Sequence, residues 1–142
     1  MSTIDDLAEV EQLKKLKARY FRTMDTKDWK AMRMVFTDDV VVDTTDTGGS
    51  VVTGGDALME FLESTLQDTT TVHHGHTPEI EITSPTSATG IWALQDTILW
   101  PDGNRMTGFG HYHEIYEKVD GEWRIKSSTL TRLHMEFTKA GV

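Results

Sequence analysis

The chain has 142 residues, with 14 Lys+Arg against 23 Asp+Glu, a formal net charge of −9, and no cysteine. That length predicts one domain over 1–142, large enough to bury roughly 68–70% of its unfolded surface. The acidic balance, with basic residues scattered along the chain, excludes nucleic acid and anionic membranes as partners, and the missing cysteines exclude disulfides, thiol nucleophiles and thiolate metal sites.

The first residues show neither the basic start nor the apolar run of a signal peptide, and no segment approaches the roughly 20 apolar residues of a spanning helix, so a cytoplasmic protein is expected. Leu13, Leu16, Tyr20 and Met24 recur at helical spacing over 5–24. They predict an amphipathic first helix, with Asp5 or Asp6 as N-cap and Glu9, Lys14, Lys15, Lys17 and Arg19 mostly around its other side. Asp25-Thr26-Lys27-Asp28 breaks the period, and a short second helix over 29–36 follows, capped by Asp28, with Trp29, Met32, Val35 and Phe36 as its apolar face.

Val40-Val41-Val42 is β-branched and bounded by polar turn residues up to Gly49, which predicts a strand entering a hairpin that returns over 50–52. Gly54-Gly55 gives way to a third helix over 56–66. From residue 72 no helical period survives. Strand candidates over 72–82, 88–100, 106–119 and 122–137 are separated by Ser84-Pro85-Thr86-Ser87, Pro101-Asp102-Gly103-Asn104 and Asp120-Gly121. Proline fixes φ in such turns and glycine supplies positive φ. Strands joined this tightly run antiparallel. The expected fold is α+β: three N-terminal helices packed on a strongly curved, mainly antiparallel sheet, leaving a conical cavity open at one end.

Three of the six histidines fall within Val72-His73-His74-Gly75-His76-Thr77-Pro78, at the opening of the first long strand. Imidazole both takes and returns a proton near neutral pH, so this stretch is a candidate site. The pairs His74/His76 and His111/His113 each share a strand face, a spacing that zinc or iron can use. A barrel that binds metal in this way would not begin with three helices, so no metal and no cofactor is assigned.

The order of elements, with Tyr20 followed by Asp25, Phe36-Thr37-Asp38-Asp39 opening a strand, Gly54-Gly55 before the third helix and the closing Asp120-Gly121-Glu122-Trp123-Arg124-Ile125, resembles the SnoaL-like branch of the nuclear transport factor 2-like superfamily across essentially the whole chain. Within that branch, residues 12–22, 73–80 and 88–96 are most similar to the bile acid 7α-dehydratases and, more distantly, to the scytalone dehydratases. The resemblance implies a cofactor-independent lyase whose tyrosine, two aspartates, histidine and arginine fall on Tyr20, Asp25, Asp96, His73 and Arg132.

Dehydration beside a ketone needs a proton removed from carbon, negative charge held on oxygen and a hydroxyl protonated as it leaves. His73 is the expected proton shuttle, Asp25 its orienting carboxylate, and Tyr20 the donor to the developing oxyanion. Asp96 is expected to assist the departing hydroxyl or to hold Tyr20. Arg132 suits an acidic substrate tail or a pocket carboxylate. Strict alternation puts Arg132 on the face opposite Trp123 and Ile125, so it reaches the cavity only through a bulge or twist between Ser127 and Thr131.

The expected function is therefore a dehydratase, or an isomerase, acting on a hydroxy-ketone, steroid-like or polyketide-like ring. The alternative is a non-catalytic small-molecule-binding or oligomerisation module of the same fold. Apolar residues at both parities, such as Ile91 beside Trp92, predict a homo-oligomer, dimer or trimer.

Overall fold

A computed structural model describes residues 3–141. Helix α1 (Ile4–Asp25) begins two or three residues earlier than Asp5 or Asp6 would cap it. Thr3 is the N-cap instead: its hydroxyl accepts from the Asp6 backbone N–H, while the Asp6 side chain accepts from the Thr3 backbone N–H, a reciprocal capping box. Asp28 does cap α2 (Trp29–Arg33), accepting from the Ala31 N–H. That helix stops before Phe36, which opens strand β1 (Phe36–Asp43) because its backbone pairs with Ile125.

A single 3-10 turn over Thr45–Thr47 leads to β2 (Val51–Thr53), the hairpin return. Helix α3 (Gly55–Leu66) follows Gly54, whose φ of 98° suits glycine. The long strands β3 (Thr70–Ser84), β4 (Ser87–Leu99), β5 (Arg105–Val119) and β6 (Glu122–Thr138) form the expected antiparallel meander. Asp120 and Gly121 both have positive φ, as a tight β5–β6 turn requires.

The six strands lie in the order β2-β1-β6-β5-β4-β3. All pairs are antiparallel except β1 with β6, a parallel pair that the meander alone does not predict. Strand β3 is therefore an edge. It accommodates Pro78, which has no N–H to give a neighbour, at a bulge between His76 and Glu79.

The helices cover one face of the sheet, and the core lies between them, from Leu13, Leu16 and Tyr20 of α1 to Trp92, Tyr112 and Ile125 of the strands. Helix α1 crosses β3 at Gly75, where a Cβ would collide with the Phe21 ring. The helix comes that close only because this position has no side chain. Lys17 departs from the expectation of a solvated face: it is fully buried and paired with the equally buried Glu114 at 2.9 Å.

Two bulges in β6 decide what its second half presents to the cavity. Tyr116 pairs with Ile125 but Ile115 pairs with Ser127, so Lys126 is the extra residue and the alternation flips. Ser128, Leu130 and Arg132 then point inward together. The first bulge sits just ahead of the window between Ser127 and Thr131 in which it was expected. A second, at Leu133, flips the parity again and turns Met135 and Phe137 inward.

Candidate active site

Helices α1 and α3, the loop around Thr47 and the concave face of the sheet enclose a cavity of about 320 Å³. Its walls are mostly apolar, from Met24, Phe61, Leu62 and Leu66 on the helices to Ile98, Trp100 and Leu130 on the strands. Tyr20, His73, Asp96, Tyr112, Ser128 and Arg132 supply polar groups, with threonines such as Thr47 at its border. A larger groove of about 590 Å³ near Glu9, Lys118 and Trp123 gathers no comparable set.

His73 lies near the start of β3 on the inward parity, paired across the sheet with Asp96. Its Nδ1 lies 2.7 Å from Asp25 Oδ1, and its backbone N–H donates to Asp25 Oδ2 at 2.8 Å. Thr71 donates its hydroxyl to the same Oδ1 at 2.9 Å and is itself held by Lys27. Burial works against the Asp25 carboxylate, but the His73 imidazole, the His73 backbone N–H and the Thr71 hydroxyl outweigh it and hold its pKa below the ordinary value. With Nδ1 engaged by Asp25, the other ring nitrogen, Nε2, is left toward the cavity. That Nε2 lies 4.0 Å from Asp96 Oδ2, on the cavity wall. Phe21 stacks on the imidazole, with centroids 6.2 Å apart and planes 18° from parallel, which fixes the ring's tilt.

Asp96 sits mid-strand among apolar neighbours, and Arg132 is its partner. Nη1 donates to Oδ1 at 2.6 Å and Nη2 to Oδ2 at 3.0 Å. The guanidinium also donates from Nε to Thr47 Oγ1 at 3.1 Å, and the Arg132 backbone N–H donates to Asp46 Oδ2 at 2.6 Å. Gly108 makes room for this pair, since a Cβ there would overlap Arg132 Nη1 and come within 2.7 Å of Asp96 Oδ1. Of the two uses foreseen for Arg132, clamping a pocket carboxylate is the one present, and Asp96 binds Arg132 rather than Tyr20.

Tyr20 reaches the same cavity from α1, buried beside Tyr112 with their rings edge to face at 5.8 Å. Burial and then the nearby Glu114 carboxylate push the Tyr20 phenol well above its ordinary pKa, partly offset by hydrogen bonding with Tyr112. It is a neutral donor at any working pH. Of the five residues singled out in the sequence, Tyr20, His73, Asp96 and Arg132 line one cavity and Asp25 stands directly behind His73. Tyr20 makes no hydrogen bond with His73 or Asp25, which are joined to each other.

Tyr112, Ser128, Thr71 and Thr47 were not anticipated as part of the site. Tyr112 was legible in principle, because it shares inward parity with Glu114 and Tyr116; Ser128 was hidden by the Lys126 bulge. His74, His76, His111 and His113 lie on the sheet face away from the helices, and β4 separates the two pairs. Among the described residues no group of three or more His, Cys, Asp or Glu side chains is placed to hold a metal ion.

Comparison with known proteins agrees with this architecture. A curated relative from Gibberella zeae, named "Probable cyclase FGR4", is 27% identical over 94% of this chain and 96% of its own length. The crystal structure named "Putative Scytalone Dehydratase" from Novosphingobium aromaticivorans superposes with a TM-score of 0.84 at 22% identity, over 96% of this chain and 91% of that one. Hexachlorocyclohexane dehydrochlorinase LinA-type3 from Novosphingobium barchaimii LL02 superposes with a TM-score of 0.84 at 17% identity, over 99% and 97%. The SnoaL-like domain family matches residues 5–129. With three helices laid across a curved six-stranded sheet and that match over most of its length, the chain belongs to the SnoaL-like domain family, in the nuclear transport factor 2-like fold.

Proposed function

We propose that the protein is a cofactor-independent carbon–oxygen lyase, a dehydratase of a hydroxy-ketone on an apolar, steroid-like or polyketide-like ring. The observation that carries this reading is the Asp25–His73 pair, joined at 2.7 Å, with its outer nitrogen on the wall of an apolar cavity that Tyr20 also borders. The ring-modifying names of the relatives, cyclase, dehydratase and dehydrochlorinase, support an enzyme of this general kind.

In the proposed step His73 Nε2 takes a proton from the carbon next to the ketone. The C–H electron pair moves onto the carbonyl oxygen as an enolate, to which Tyr20 donates. Collapse of the enolate forms the C=C bond and breaks the bond to the β-hydroxyl, which leaves with the proton from the His73 imidazolium as water. The products are a conjugated ketone and water, and His73 and Tyr20 return to their starting states. Asp25 stabilises the transient imidazolium. Asp96, held by Arg132, lies 4.0 Å from His73 Nε2 on its far side.

Arg132 is the cavity's only Lys or Arg side chain among the described residues and is already satisfied, which favours a neutral substrate over a carboxylate. A homo-oligomer, dimer or trimer, is proposed on the exposure of Val72, Ile91 and Ile115 on the sheet face away from the helices. No helix among the described residues is long and apolar enough to cross a membrane. A cytoplasmic setting is part of the same proposal and suits a chain without cysteine.

The test is to incubate the protein with ring β-hydroxy-ketones and follow the ultraviolet absorbance of the conjugated product. Turnover that disappears in His73→Ala supports the lyase. Binding of the ring without turnover, unchanged in His73→Ala, replaces it with a ligand-binding module.

A further inference from the structure

Below the cavity lies a buried charged cluster that the proposed proton transfer does not use. Lys17 Nζ donates to Glu114 Oε2 at 2.9 Å and sits 3.7 Å from the ring centroid of Tyr20 and 3.6 Å from that of Tyr112. Glu114 Oε2 also accepts from Ser128 at 2.8 Å, and Oε1 accepts from Tyr116 at 2.8 Å, whose hydroxyl accepts in turn from Trp92 Nε1 at 2.9 Å. One ammonium thus faces a carboxylate and the Tyr20 and Tyr112 rings at once, with the Phe21 ring farther off at 5.1 Å.

A buried ion pair is an expensive way to hold a fold together, since hydrophobic residues of the same volume do as well or better. Its placement is more informative than its stability. The two rings nearest to it belong to phenols bordering the cavity, and the carboxylate's partner Ser128 borders it too. A cation on the face of an aromatic ring draws electron density from it, which makes a phenol a stronger donor and favours any negative charge shared with its oxygen. Such a contact is worth most where water is excluded, as it is around Lys17.

We propose that Lys17, held by Glu114, is a positioning residue that orients the Tyr20 and Tyr112 phenols and strengthens them as donors to an oxyanion in the cavity. The proposal rests on the reading of Tyr20 as that donor. Burial and Glu114 both push the two phenols toward remaining neutral, and burial likewise disfavours the Lys17 ammonium, which Glu114 sustains. Lys17 on the ring faces opposes the first of these effects where charge would develop. Glu114 keeps that cation in place, and the hydroxyls of Ser128 and Tyr116 keep Glu114 in place.

The test uses a ring-fluorinated 2-naphthol, ionised in solution, as an oxyanion probe and naphthalene as a probe of the apolar cavity alone. In the double variant Lys17→Met/Glu114→Gln, which removes both charges together and keeps the volumes, naphtholate affinity is expected to fall about tenfold while naphthalene affinity stays the same. An equal fall for both probes, or no fall for either, overturns the proposal. Tyr20→Phe is the control for the underlying reading. If that variant binds naphtholate as well as the parent does, the assignment of Tyr20 fails and the role of Lys17 fails with it. If Tyr20→Phe loses affinity and the double variant does not, only the role of Lys17 fails. Should the double variant not fold, the parent protein labelled with ¹⁵N-lysine carries the test. The Lys17 ammonium resonance should move on binding naphtholate and stay still with naphthalene, and an unmoved signal in the naphtholate complex overturns the proposal.

Discussion

Asp96 engages Arg132 through both carboxylate oxygens, at 2.6 and 3.0 Å, and so occupies the guanidinium that an acidic substrate would otherwise claim. The two charges lie on neighbouring parts of one sheet, yet they meet only because β6 bulges at Lys126 and Gly108 leaves the space between them.

The cavity should therefore prefer an uncharged ring. 2-Naphthol is expected to bind at least about tenfold more tightly than 2-naphthoate, because a carboxylate would enter an apolar site without an available cation. Titration calorimetry on the parent protein measures the ratio, and a preference for naphthoate contradicts the neutral substrate.

Breaking the pair from one side leaves a buried charge without a partner. Arg132→Ala is expected to lose about 3–5 kcal/mol of stability, whereas Asp96→Leu/Arg132→Met loses much less because no orphaned charge remains. Urea unfolding of the two variants separates these outcomes. Equal losses would mean that the pair's partners, and not its charges, decide the result.

Asp25→Asn keeps the shape of the side chain but removes the negative charge beside His73 Nδ1. A fall of about 10³–10⁴ in kcat, with KM little changed, is expected by analogy with other carboxylate–histidine pairs. A variant with undiminished kcat would show that His73 does not act through Asp25.

The same carboxylate sets an acid limit to stability. Its pKa is held below the ordinary 3.8 in the folded protein. Above 3.8 the group is ionised in both states and its stabilising effect is complete; as pH falls further the unfolded chain binds the proton first, and the effect is lost down through the depressed folded value. Urea midpoints measured from pH 5 downward should therefore fall less steeply in Asp25→Asn than in the parent. A steeper fall in the variant would reverse the sign assigned here.

Gly108→Ala should destabilise the protein by about 1–3 kcal/mol through overpacking, because the added methyl meets Arg132 and Asp96 in a crowded strand. Thermal unfolding measures it, and a neutral substitution would mean that the Asp96–Arg132 pair can shift without cost.

Much of the architecture was legible because it depends on local chemistry. Leu13, Leu16, Tyr20 and Met24 mark one stripe of a helix, and Pro101 through Asn104 and Asp120-Gly121 mark turns wherever they occur. The Asp25–His73 neighbourhood follows from the resemblance, and the fold brings the two side chains to 2.7 Å. Lys17 is buried although its charge suits a solvated face. Its spacing, four residues after Leu13 and three before Tyr20, lies on the buried stripe, and that signal was available. The N-cap at Thr3 was also within reach, since Thr3 and Asp6 have the spacing of a capping box.

By itself the sequence determined the helices, the turns, the antiparallel meander and the kind of chemistry its histidine, tyrosine and carboxylates offer, since each follows from side-chain type and short-range spacing. Tertiary structure alone decided which of these side chains meet. The bulges at Lys126 and Leu133, the parallel β1–β6 pair and the burial of Lys17 against Glu114 all depend on partners distant along the chain. A single extra residue in one strand reverses the face of everything after it, and no local pattern in β6 records that reversal.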